Sequence, residues 1–182
     1  MLTLRRARFW SVWSRKLRRA ETVILFPLMN PESDRNVQVS PPGEARTLRA
    51  FGEEVIIHLD GTQTANAKTL WTEVTPPGGG PPPHYHAKED ETFFVQEGRV
   101  SFFAAGQWRE VPPGSAAYAP RGSVHTFKNV GDKPSRMLVS TSPSGFEKFF
   151  SRCADEFAKP GGPDMQRIVD ISAEHGIHFV QP

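Results

Sequence analysis

From residue 53 onward the chain alternates short apolar stretches with turn residues. The stretches cover residues 55–59, 70–74, 91–96, 99–104, 107–111, 116–119, 124–130 and 135–141. Short strands at intervals of about 8–12 residues, with no helix between them, are typical of a β-sandwich or β-barrel. The dipeptide Asp60-Gly61 predicts a two-residue turn after the first stretch. We therefore expect an all-β domain.

The periodicity becomes helical after residue 142. Ser144 and Glu147 have the spacing of a capping box, which predicts the start of a helix. Apolar residues then recur on one helical face: Phe146, Phe149, Phe150, Cys153 and Phe157. The run 159–162 ends this helix, and a second helix is predicted over 164–175 with Gly176 as its stop. We expect both helices to cover an open side or end of the β-structure, with Cys153 as a buried packing residue.

The first residues of the chain differ in charge from the rest. The formal net charge is +2, but residues 1–20 carry seven arginines and lysines and no acid, so residues 21–182 carry −5. Apolar side chains of this segment share one helical face: Phe9, Trp10, Trp13 and Leu17. A basic helix of this kind could lie on an anionic membrane or an acidic partner. The alternatives are a frayed leader, or translation that begins at Met29.

Composition narrows the class of protein. A single cysteine excludes an internal disulfide and favours the cytoplasm. No apolar run approaches the ~18 residues of a membrane span, and an acidic body argues against a nucleic-acid partner. We predict a basic, flexible tail over residues 1–38, a β-barrel over 39–143 and C-terminal helices packed on it over 144–182.

The candidate chemistry begins at the proline- and glycine-rich run 76–83. His84 and His86 are two residues apart, so on an extended strand both imidazoles face the same side while Tyr85 points away. Glu91 follows after a short bend, and His125 belongs to a later strand. Inward-facing side chains of several strands converge in a closing sheet. Taken singly, the first two histidines could be exposed loop residues and His125 a packed core residue.

Three imidazoles and one carboxylate at one point would suit a divalent first-row transition metal. Iron, manganese, cobalt, nickel, copper and zinc all accept this donor set, so the identity of the metal stays open. Four protein ligands would leave coordination positions for a small molecule, as in a reactive rather than a structural site.

These residues resemble the two sequence motifs of the cupins. The first motif is matched at Gly78, His84, His86, Glu91 and Gly98. The second is matched at Gly114, Pro120, Gly122, His125 and Asn129. The resemblance implies a small antiparallel double-sheet barrel, or jelly roll, of the single-domain, quercetin-dioxygenase-like type. It implies His84, His86, Glu91 and His125 as ligands of one metal ion, and Asn129 as a structural residue.

The resemblance also implies a function. We expect a metalloenzyme of the dioxygenase type that acts on a small apolar or aromatic molecule, with Glu91 as a catalytic base. Isomerases, decarboxylases and cyclases share the ligand set. The alternative is a cupin that binds a metal or small ligand without turnover, in a regulatory or storage role. We also expect a homodimer paired through strand edges.

Two-residue alternation places candidate pocket residues beside the metal. Phe93 lies on the face of Glu91, and Phe127 lies on the face of His125. Ordinary barrel packing is the other explanation for both. Further candidates are Trp71, Tyr118 and Met137.

Overall fold

Alternating side chains build most of the strands in the computed structural model, which describes residues 36–104 and 106–180. The strands are β1 (Arg46–Ala50), β2 (Glu53–Leu59), β3 (Thr69–Thr75), β4 (His84–His86), β5 (Asp90–Glu97), β6 (Val100–Ala104), β7 (Gln107–Val111), β8 (Ala116–Ala119), β9 (Thr126–Asn129), β10 (Ser135–Ser142) and β11 (Ile177–Phe179). A short 3-10 helix (Pro42–Glu44) precedes them, and α1 (Phe146–Phe157) and α2 (Met165–His175) separate β10 from β11. The proposed basic helix and the alternative start at Met29 lie outside the described residues.

The strands form three antiparallel sheets. One has six strands in the order β1-β2-β3-β10-β5-β8, one has three in the order β7-β6-β9, and β11 pairs with β4. In β5, Glu91, Phe93 and Val95 are buried while Thr92 and Phe94 are exposed, which is the two-residue period expected of a half-buried strand. The structure confirms the predicted antiparallel all-β jelly roll with a short C-terminal helical segment.

The second predicted helix is confirmed at both ends. The Asp164 carboxylate accepts hydrogen bonds from the amides of Gln166 (2.9 Å) and Arg167 (3.2 Å) and so caps the start of α2. Gly176 ends the helix in the left-handed region with φ of 83°. Cys153 of α1 is fully buried, as expected, and burial raises the pKa of its thiol to about 12.

The predicted capping box of α1 is wrong. Gly145, not Ser144, occupies the N-cap position, and no side chain caps it. The buried Glu147 carboxylate accepts hydrogen bonds from the Gly145 amide (3.0 Å), the Thr69 hydroxyl and the Gly61 amide (3.4 Å). Glu147 therefore ties the start of α1 to the loop between β2 and β3.

The predicted two-residue turn at Asp60-Gly61 is also wrong, because residues 60–68 form a longer connection. The Asp60 carboxylate accepts a hydrogen bond from the Thr62 amide (2.8 Å), and this local bond starts the loop. Neither α1 nor α2, at 12 and 11 residues, is long and apolar enough to cross a membrane, and no other helix of the described residues is.

Candidate metal centre

Three neighbouring segments bring the predicted ligands together. His84 and His86 lie on β4, Glu91 lies on β5, and His125 immediately precedes β9. Two backbone hydrogen bonds join His84 and His125, from the His84 amide to the His125 carbonyl (3.1 Å) and from the His125 amide to the His84 carbonyl (2.9 Å). The Gly122 amide donates to the His86 carbonyl (2.7 Å), so the tight turn before His125 is held against β4.

All four side chains converge at one buried point. One candidate ligand atom from each of them lies within 4.8 Å of the others. A carboxylate oxygen of Glu91 is 3.0 Å from Nε2 of His125 and 3.5 Å from Nε2 of His86. That these residues bind a metal ion remains a prediction.

The Nδ1 atom of each imidazole, the nitrogen that faces away from the centre, already contacts an oxygen of the protein. Nδ1 of His84 is 2.9 Å from the Pro82 carbonyl oxygen, and Nδ1 of His125 is 3.0 Å from that of Ser123. Nδ1 of His86 is 3.1 Å from the buried Glu89 carboxylate. These contacts fix the ring orientations and leave Nε2 of each ring for the centre, as in many protein metal sites.

One atom of the centre lacks a partner. Nε2 of His86 is buried, and no group of the described residues forms a hydrogen bond with it. A buried polar atom without a hydrogen bond is costly unless something occupies the space that it faces. The orphaned nitrogen and the three-nitrogen, one-oxygen donor set together fit a divalent first-row metal ion.

The electrostatics of the centre favour a neutral His84, an ionised Glu91 and a protonated His86. Burial, together with the nearby His125 and His86, lowers the pKa of His84 to about 4. Burial by itself would raise the pKa of Glu91, but His86 and the hydrogen bond with His125 outweigh it, so the pKa of Glu91 is lowered. Burial would lower the pKa of His86, and Glu91 and Glu89 outweigh it, so that pKa is raised.

A cavity of about 240 Å³ opens on this centre. Phe93 and Phe127 line it beside His84, His86 and Glu91. A contact of either ring with a bound ligand remains a prediction.

Three further pocket candidates are not among the residues that line the cavity. The Tyr118 side chain points away from the core and is 63% exposed, whereas Trp71 and Met137 are fully buried in core packing. The indole of Trp71 stacks on Phe146 at 4.2 Å, which explains its place in the core.

Several cavity residues were missed from the sequence. Glu53 and Glu73 line the cavity, and both are buried. The alternation of strand residues could have identified them. Glu53 lies two residues before the inward-facing Val55, and Glu73 lies two residues after the inward-facing Trp71, so each shares the inner face. The C-terminal part of the chain adds five more missed residues: Phe146, Phe149, Phe150, Ile177 and Phe179.

Asn129 is structural, as the resemblance implied. Its side-chain amide donates hydrogen bonds to the carbonyls of Thr75 and Lys133, both at 2.8 Å. Its side-chain oxygen accepts a hydrogen bond from the Gly131 amide at 2.9 Å. Asn129 thus holds the turn that follows β9.

Comparison with known proteins defines the class. The family model described as Cupin domain matches residues 71–141, which include all four residues of the centre. The chain is similar to quercetin 2,3-dioxygenase of Bacillus subtilis (strain 168), with 29% identity over 82 residues, which is 45% of this chain and 24% of that protein. It is also similar to an uncharacterised protein of Aquifex aeolicus (strain VF5), with 37% identity over 59 residues, or 32% of this chain and 48% of that one. The chain thus spans about a quarter and about half of these curated relatives.

A solved structure supports the fold independently. KdgF from Halomonas sp. superposes with a TM-score of 0.55 at 18% identity, covering 62% of this chain and 99% of that one. The matched family model identifies residues 71–141 as a cupin domain, and the relatives and the fold agree with this assignment.

Proposed function

We propose that this cupin is a mononuclear metalloenzyme of the dioxygenase type that acts on a small apolar or aromatic molecule. The observation that carries the proposal is the convergence of four buried candidate ligand side chains, three of which line one largely apolar cavity. The similarity to quercetin 2,3-dioxygenase supports the dioxygenase subclass. The cavity lies below the ~300–1,000 Å³ of sites for drug-sized ligands, which favours a substrate of one or two rings.

The proposed ligands are His84, His86, Glu91 and His125. A divalent transition metal held there would supply Lewis acidity and open coordination positions for an oxygen of the substrate. The lowered pKa of Glu91 favours its ionised form, so its carboxylate would take the proton of an enolic or phenolic hydroxyl group. Phe93 and Phe127 would hold the ring and exclude water from the centre.

Elemental analysis of the purified, untagged protein tests the metal site. We expect close to one equivalent of a transition metal, and its loss in the double variant His84→Ala/His86→Ala. The matched control is His58→Ala/His175→Ala, which removes two histidines outside the centre and should keep the metal. If neither the wild type nor the control takes up metal even after loading, the metalloenzyme proposal fails.

Oxygen uptake by the loaded protein tests the subclass. A panel of flavonols, catechols and diketones should include at least one compound that is consumed together with oxygen. Metal binding without oxygen uptake would remove the dioxygenase assignment. Tight binding of a panel compound without chemical change would instead favour the non-catalytic alternative, a metal- or ligand-binding cupin with a regulatory or storage role.

Oligomeric state and location are also proposals. The six-stranded sheet ends at β1 and β8, and either edge offers unpaired backbone groups for a homodimer, which sedimentation equilibrium would detect. The single cysteine is buried and supports a cytoplasmic location.

A further inference from the structure

Two acidic side chains that the proposed mechanism does not use share the cavity with the metal centre. Glu53 on β2 and Glu73 on β3 line it, and each is 6% exposed. Val55 pairs with Glu73 across the two strands, so Glu53 and Glu73 are diagonal neighbours on the inner face of the sheet. The two carboxyl groups are close enough to shift one another's pKa.

The Glu53–Glu73 pair lies away from the candidate metal ligands along the sheet, although Glu91 is near enough to raise the pKa of Glu73. Glu73 aligns with Met137 of β10, whereas Glu91 aligns with Thr141 of the same strand. Glu73 and Glu91 therefore lie two strands apart, and they are offset by four residues along the strand direction. The cavity has two polar regions, one at the histidines and one at the Glu53–Glu73 pair.

The negative charge of the pair has no cationic partner. The Thr75 hydroxyl donates to Glu53 and the Trp71 indole N–H donates to Glu73, both at 3.3 Å, and both donors are neutral. Among the described residues, no lysine or arginine lines the cavity or forms an ion pair with either carboxylate. Burial raises the pKa of Glu53, and burial together with Glu53 raises the pKa of Glu73 well above its ordinary value, as expected for two buried carboxyl groups that retain a proton.

The remaining wall is aromatic. Seven phenylalanines line the cavity: Phe51, Phe93, Phe127, Phe146, Phe149, Phe150 and Phe179. Aromatic rings attract cations through their π-electron faces, and a buried carboxylate favours an opposite charge. An anionic ligand would meet repulsion at the pair, and a wholly apolar one would leave the charge of the pair uncompensated.

We propose that the Glu53–Glu73 pair is a subsite for a protonated amine, so that the ligand of this cavity is a small aromatic amine. The ammonium group donates hydrogen bonds to the two carboxyl groups while the ring lies among the phenylalanines. This inference rests on the proposed function only in placing the substrate in this cavity. Binding at the pair itself requires no metal ion.

Calorimetry on the metal-free full-length protein tests the subsite, because a bound metal would itself coordinate the unprotonated amine or the phenylacetate anion. The probes are 2-phenylethylammonium, its neutral analogue 2-phenylethanol and the anion phenylacetate. We expect the ammonium probe to bind at least about tenfold more tightly than the alcohol, since hydrogen bonds to charged groups exceed neutral ones by about that factor. Phenylacetate should bind most weakly.

The variants Glu53→Gln and Glu73→Gln should each abolish the preference for the ammonium probe. The control is Glu54→Gln, because Glu54 is the next residue on β2 and forms an ion pair with Arg49 at 2.6 Å outside the cavity. Equal affinity for ammonium and alcohol, no binding of the ammonium probe, or a preference that survives in both pair variants would each overturn the inference. The comparison of the three probes on the wild-type protein tests the inference even if a variant does not fold.

The two proposals fail separately. Metal uptake without a preference for the ammonium probe would overturn the amine subsite alone. Preference for the ammonium probe in a protein that takes up no metal would overturn the metalloenzyme alone.

Discussion

The three histidines of the centre differ in what holds their outer nitrogen. Backbone carbonyls hold Nδ1 of His84 and His125, whereas the Glu89 carboxylate holds that of His86. A carboxylate partner makes an imidazole a stronger ligand than a carbonyl does. His86 is therefore the histidine whose affinity for a metal depends most on a neighbouring side chain.

The substitution Glu89→Gln should weaken metal binding without abolishing it. Loss of the carboxylate charge leaves the shape of the contact with His86 but makes its Nε2 less basic, and we expect about a tenfold rise in the dissociation constant for Zn²⁺. Competition with a chromophoric chelator measures it. Glu97→Gln, an exposed change on β5, is the control. An unchanged dissociation constant in Glu89→Gln would mean that Glu89 serves only to pack the bend.

Reasoning from the sequence finds the four candidate ligands but not the residues that hold them in place. His84 and His86 are visible because a strand places alternate residues on one face, and the spacing of the two motifs adds Glu91 and His125. Glu89 meets His86 across a bend whose geometry no periodicity specifies. Glu53 and Glu73 escaped notice because an acidic residue in a strand is usually exposed.

At the scale of elements, the loop before β4 packs directly against β9. The amide of Asn129 donates a hydrogen bond to the Gly79 carbonyl (2.9 Å), and the Gly78 amide donates to the Asn129 carbonyl (2.9 Å). A Cβ atom on Gly80 would lie 2.1 Å from the Phe127 carbonyl oxygen. The close approach of the two backbones therefore requires glycine at position 80.

The substitution Gly80→Ala should lower the free energy of unfolding by about 3 kcal/mol or more, because strain at a positive φ adds to a clash with backbone. Gly78→Ala is the matched control: Gly78 also has a positive φ, of 76°, but a Cβ there meets nothing within 4 Å. We expect about 1 kcal/mol for Gly78→Ala. Urea denaturation measures the free energy of unfolding of both variants. Equal decreases would show that the close contact between Gly80 and β9 does not add to the cost of the substitution.

Elements with a clear alternation of apolar and polar residues or with capping residues were predictable from the sequence. Elements that depend on residues distant in the sequence were not. The eight residues of β10 alternate along most of their length, and both ends of α2 carry their capping residues. Three-residue β11 has no period to detect, and it is a strand only because β4 pairs with it. The capping box of α1 failed because Glu147 bonds to Thr69 and Gly61, residues far away in the sequence.

At the scale of the whole molecule, the buried Glu73 makes stability depend on pH. Its pKa in the folded protein is raised above the ordinary 4.5 by burial and by Glu53 and Glu91, so the folded state binds this proton more tightly than the unfolded state does. Stability from this group is complete at pH values below about 4.5 and is lost as the pH rises through the folded-state pKa.

Substitution Glu73→Gln removes this titration. We expect the variant to gain stability relative to the wild type between pH 5 and pH 8, on the order of 1 kcal/mol, because position 73 no longer carries a buried carboxyl group that has to ionise. Urea denaturation at both pH values measures the difference, with Glu54→Gln as the control. A constant difference between wild type and variant across this range would contradict the raised pKa.

The pairing of β11 with β4 has a consequence for how the centre is assembled. Phe179 pairs with His84, and 95 residues separate the two in the sequence. A ribosome has to translate past residue 179 before β4 gains this partner, whereas all four candidate ligands have been synthesised by residue 125. A nascent chain halted ahead of β11 thus possesses the complete donor set but lacks Ile177 and Phe179 of the cavity wall. During synthesis, the set of candidate donors is therefore complete before the wall of the cavity is.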